Sequence, residues 1–73
     1  MDIEKLIRMA NQIGDFYEAF PDQEEARKEI AEHINRFWSL MMRKSIAAHV
    51  KEKQGAGLHA RVKEAVQQYL QLS

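Results

Sequence analysis

Apolar residues return along this chain in four blocks at helical spacing, separated by short polar or glycine-containing breaks. In the first block Ile3, Leu6, Ala10, Ile13, Tyr17 and Phe20 recur at alternating steps of three and four, and Ile7 and Gly14 widen the stripe. That period predicts a helix over about residues 2–19 with one face toward a core. Asp2 stands where its carboxylate can accept an orphan backbone N–H and cap the helix. Gly14 inside the stripe costs roughly 1 kcal/mol against alanine, which is explained if a second helix approaches closely there. Met9 and Phe16 share one edge of the stripe and offer a second apolar contact. Asn11 lies on the other edge and Gln12 points well away; the pair reads first as solvent-facing and second as partner-directed.

Phe20-Pro21-Asp22 marks a tight corner, since the residue before proline is pushed out of the helical region. Asp22 with Glu25 three residues on has the form of a capping box. Glu24 and Glu25 also complement the positive end of the helix dipole. A second helix follows over about 23–38. Ala26, Ile30, His33, Ile34, Phe37 and Met41 form its stripe, with Ala31 and Trp38 on the flank. Two readings of Trp38 stay open: closing the edge of the domain's own core, or projecting toward a partner as a large amphipathic anchor.

Ser39 is a candidate N-cap, so the chain is expected to break there and start a third helix over about 40–53. The competing reading, one helix from Gln23 to Lys53, is long for a globular domain. Leu40, Met42, Ile46, Ala47 and Val50 give the third segment an apolar side, and Arg43, Lys44, Lys51 and Lys53 a basic one. Gln54-Gly55-Ala56-Gly57 is a loop, its glycine suited to the left-handed conformation that ends a helix. Leu58, Val62, Ala65, Val66, Tyr69 and Leu72 then outline a last helix over about 59–71, with Leu58 as a staple ahead of it. The expectation is a single all-α domain, residues 1–73, built as a small bundle of four helices.

Composition narrows the function classes. Seventy-three residues form a thin core, because a chain this short buries only about 60% of its unfolded surface. With no cysteine there is no disulfide to compensate, and small unstapled cores often lean on a partner or on self-association. The absence of cysteine, of a membrane-length apolar run and of a signal-peptide pattern fits a cytoplasmic protein outside the membrane. Net charge is zero but unevenly spread. Residues 1–32 carry nine acids against four bases, a net −5, and residues 33–73 seven bases against two acids, a net +5. Such a dipolar chain can orient on a partner with a matching field, and the plainer reading is a set of solvated helix faces.

Catalytic chemistry finds little to stand on. His33, His49 and His59 lack metal-ligand spacing, and Glu29 with His33 is half a site at most. Ser39, Ser45 and Ser73 sit in no nucleophile motif. Gly55-Ala56-Gly57 lacks the rest of a dinucleotide fingerprint. Two helices joined near Ser39 with a basic second half suggest, as an alternative, a helix-turn-helix-like nucleic-acid-binding domain. Against it, the third segment lacks a dense base-reading face and the chain has no net positive charge.

At Met9-Ala10-Asn11-Gln12-Ile13-Gly14, and again at Ile30-Ala31, His33 and Arg36-Phe37-Trp38, the chain resembles the delta subunit of NAD-dependent, molybdenum-containing formate dehydrogenase. Met1-Asp2-Ile3, Pro21-Asp22, Met42-Arg43 and Gly55-Ala56-Gly57-Leu58 with Val62 and Ala65 agree with the same pattern. The pattern departs where Ser39-Leu40-Met41-Met42-Arg43 replaces Asp-Pro-Arg-Met-Arg, which leaves Ser39 without a proline behind it to break the helix. His59-Ala60 likewise replaces a Ser-Pro. The resemblance implies a non-catalytic accessory subunit supporting assembly, stability or cofactor insertion of the molybdenum-bearing alpha subunit. It implies no cofactor on this chain; the molybdenum pterin, iron–sulfur clusters and FMN belong to the other subunits. The alpha subunit and its complex are the expected partners. Met9, Asn11, Phe16, Arg36, Trp38 and Arg43 are the candidate partner-binding residues.

Overall fold

The computed structural model describes residues 2–73; Met1, which opens the Met1-Asp2-Ile3 stretch, lies outside them. Four helices follow in order, α1 Ile3–Phe16, α2 Gln23–Phe37, α3 Leu40–Lys53 and α4 Ala60–Tyr69, and the described residues contain no strand. The first three helices start at the side-chain caps expected. Asp2 accepts from the Glu4 N–H, and Asp22 from the Glu24 and Glu25 N–H groups. Ser39 Oγ accepts from the Met42 N–H at 3.2 Å. The break between α2 and α3 is therefore real, with Trp38 and Ser39 both in extended conformation. The two outer boundaries are tighter than expected. α1 stops at Phe16 rather than near residue 19, because Tyr17, Glu18 and Phe20 bond three residues back and tighten the chain into turns before Pro21. α4 stops at Tyr69 rather than 71. Leu70 turns extended, and Leu72 leaves the core stripe for the exposed tail.

The core holds Leu6 and Ala10 from α1, Ala26, Ile30, Ala31 and Ile34 from α2, Ile46 and Val50 from α3, and Val62, Ala65 and Val66 from α4. Trp38 closes it at 5% exposure, whereas Phe37 is 70% and Met41 71% exposed. Trp38 thus takes the first of its two readings, closing the core's edge, while Phe37 and Met41, placed inward by the expected stripe, face out. The buried arc of α2 is centred between Ile30 and Ala31, about 50° from the assumed centre at 100° per residue. Beyond Phe37 the backbone is no longer helical, so the wheel position of Met41 has no meaning across the Ser39 break. Phe37 instead lies against His33, with ring centroids 4.8 Å apart.

α2 and α4 are the central pair and run in the same direction: Arg27 faces Glu64 at 3.4 Å, and Asn35 faces the Tyr69–Gln71 backbone. Gly14 is explained as expected, by close approach. A Cβ there would collide with Val62 Cγ2, so α4 lies against the bare backbone of α1. In the α3–α4 loop the left-handed conformation begins one residue earlier than expected, at Gln54 (φ 57°), and continues at Gly55 and Gly57. His49 secures this loop through Nε2 and the Ala56 carbonyl, 2.7 Å apart.

Candidate interaction surfaces

Of the six candidate partner residues, Met9, Phe16 and Trp38 come together. They line an open groove of about 550 Å³ between α1 and α2, shared with Gln12, Ile13, Tyr17 and His33. The walls are aliphatic, thioether and aromatic, with Gln12 and His33 the polar exceptions. Phe16 stands on the rim at 75% exposure, edge-on to Tyr17 with centroids 5.0 Å apart. Trp38 forms part of the wall while buried in the core, so it does not project outward as an anchor. Phe37 stands at the groove's edge through its contact with His33. The ring that faces out at this helix end is thus Phe37, the neighbour of the one expected.

The other three candidates lie outside the groove, and each bonds within the chain. Asn11 donates from Nδ2 to the Gly57 carbonyl and accepts the His59 N–H at Oδ1, each at 2.9 Å. It therefore clamps the start of α4 to α1 and replaces the missing side-chain cap at His59. Arg36 pairs with Glu32 one turn back at 3.4 Å, an exposed pair that contributes little. Arg43 donates to the Gln71 carbonyl at 2.9 Å. Of Arg36, Trp38 and Arg43, only Trp38 lines the groove.

A second clamp escaped the sequence reading. Asn35 donates to the Tyr69 carbonyl at 3.2 Å and accepts the Gln71 N–H at 2.9 Å. α4 is thus held at both ends by one asparagine from each of α1 and α2. The available signal was propensity, since asparagine in a helix interior is disfavoured and calls for a tertiary reason. Tyr69 ties α4 to the start of α2 as well, its hydroxyl donating to Glu24 Oε2 at 2.6 Å. That hydrogen bond holds the phenol's pKa above its ordinary value, with desolvation and the carboxylate's charge adding to it.

At the opposite side Gly14, Asp15, Glu18, His59 and Arg61 line a more polar depression. His59 Nδ1 lies 3.2 Å from Asp15 Oδ1, and Arg61 donates to the Glu18 carbonyl. These contacts serve the α1–α4 junction. Among the described residues no cluster of three or more His, Asp or Glu side chains stands within reach of one metal ion. Among the described residues no helix is long and apolar enough to cross a membrane.

Residues 5–66 match the family described as the NADH-dependent formate dehydrogenase delta subunit, FdsD. That match spans most of the chain, and the chain belongs to this family. No curated protein and no solved structure matches it.

Proposed function

We propose that this member of the formate dehydrogenase delta-subunit family acts as a non-catalytic accessory subunit, supporting assembly, stability or cofactor insertion of the molybdenum-bearing alpha subunit. Family membership over residues 5–66 carries the reading. Its accord with the side chains supports it. Several polar side chains are spent on folding: Asn11 and Asn35 pin α4, and Tyr69 pins α2. His49 holds the α3–α4 loop. On this reading formate oxidation and electron transfer to NAD belong to the larger subunits, which carry the molybdenum pterin, the iron–sulfur clusters and the FMN. This chain contributes a folded apolar face that engages protein, in the cytoplasm.

Affinity purification of the tagged chain from its source cell, with mass spectrometry of what accompanies it, tests the association. The expected companion is a large molybdopterin oxidoreductase subunit in stoichiometric amount. A formate–NAD assay on the isolated chain tests the other half, and turnover there would overturn the non-catalytic assignment. Salt-dependent, sequence-selective retardation of DNA by the pure chain would replace the accessory role with nucleic-acid binding.

A further inference from the structure

The α1–α2 groove is a recess with a projecting ring on the same face. Phe37, mostly exposed and tilted against His33, stands beside the recess lined by Met9, Ile13, Phe16, Tyr17 and Trp38. A recess and a knob side by side on one surface are self-complementary about a two-fold axis, because each copy offers what the other receives. The recess, about 550 Å³, has room for one aromatic side chain with space left for the rim.

The area is sufficient. Phe16 and Phe37 at these exposures present roughly 300 Å² of ring surface, on the usual 150–250 Å² per aromatic side chain. The half-buried Met9, Ile13, Tyr17 and His33 add roughly 150 Å². Interfaces are roughly 60% apolar, so an apolar patch of about 450 Å² implies a footprint near 750 Å² per copy. A standard-size interface uses about 800 Å² per partner. We infer that this face is the contact between two copies of the chain, with Phe37 of each copy seated in the α1–α2 groove of the other. The inference concerns the chain away from its complex and does not rest on the accessory role.

Electrostatics give the dimer a signature. The helices that build the groove, α1 and α2, carry six acids and five bases, a net of −1, and no acid lines the groove itself. Salt screens exposed charges while leaving apolar burial in place. Self-association is therefore expected to persist as salt rises.

Sedimentation velocity of the full chain, from about 1 µM to about 500 µM, reads this directly over the affinity range of a modest interface. The expected result is a reversible shift from the 8.5 kDa monomer to a dimer that persists at high salt. Phe37→Asp and Phe16→Asp each raise that midpoint at least about tenfold, as loss of a central aromatic anchor does. Gln67→Asp, on the exposed side of α4, leaves it unchanged. An amide-shift dilution series on the unaltered chain needs no variant to fold, and its changes are expected in residues 9–17 and 33–38. A monomer at every concentration overturns the inference. So does a dimer that both aspartates leave intact, one that weakens with salt, or shift changes confined to other helices.

Discussion

Trp38 and Phe37 are adjacent in sequence, and truncating each is expected to have opposite consequences. Trp38 is 5% exposed and touches the core from the end of α2. A tryptophan side chain presents up to about 250 Å². At roughly 25 cal/mol per Å², burying nearly all of it is worth up to about 6 kcal/mol against an extended chain. Compactness of the real unfolded chain lowers that figure, and truncation of buried aromatic residues typically costs about 3–5 kcal/mol. A domain of this length has only about 4–11 kcal/mol in total, at 0.05–0.15 kcal/mol per residue. Trp38→Ala therefore removes most of the stability and leaves the chain largely unfolded at 37 °C. Phe37 is 70% exposed, and Phe37→Ala is expected to shift stability by no more than about 0.5 kcal/mol. Urea denaturation followed by far-ultraviolet circular dichroism at low protein concentration separates the two, and does so without relying on tryptophan fluorescence. A Trp38→Ala chain within about 1 kcal/mol of the parent, or a Phe37→Ala chain that unfolds, would refute this reasoning and restore the inward Phe37 of a simple helical wheel.

Asn11→Ala and Asn35→Ala each remove two hydrogen bonds to backbone, and at about 0.5–1 kcal/mol per bond to partly solvated partners each is expected to cost about 1–2 kcal/mol; having no shared partner, the two should add in urea melts. Gly14→Ala gains about 1 kcal/mol of helix propensity but meets Val62, and overpacking of about 1–3 kcal/mol wins, so it destabilises. In a Val62→Ala background the same substitution becomes neutral or stabilising, as a double-mutant cycle will show. Tyr69 donates to Glu24 only while protonated, and its raised pKa means the contribution is whole below the unfolded value near about 10 and is lost as pH rises through the folded value. The stability difference between parent and Tyr69→Phe should therefore shrink above that pH, and a difference that stays constant through strongly alkaline melts would contradict the hydrogen bond's role.

Local signals carried the helix count and the breaks. Asp22, Ser39 and the Gln54–Gly57 loop mark boundaries because capping and positive φ are properties of a few residues. Periodicity also placed Ile30, Ile34, Val62 and Ala65 inward. It misassigned Phe37 because the buried arc of α2 is rotated toward Ala31, and Met41 because one wheel was carried through a helix end, where the backbone dihedrals change and rotation per residue is no longer fixed. Asn11 and Asn35 were illegible as clamps for a different reason. Their partners lie 46 and 34 residues away for the carbonyls they donate to, and nothing local encodes which backbone groups those turns leave free. Of the candidate surface, Met9 and Phe16 were found as an exposed apolar edge of the first stripe. The opposite wall appeared only once α2 was packed against it.

The accessory role is tested most directly by the molybdenum content of the formate dehydrogenase alpha subunit, purified from cells that contain this chain and from cells that lack it. The expected result is a marked fall in molybdenum per alpha subunit, with a matching fall in formate-dependent NAD reduction, restored by supplying the parent chain but not Trp38→Ala. Full molybdenum occupancy and full activity, with a stable complex in the cells lacking the chain, would contradict it.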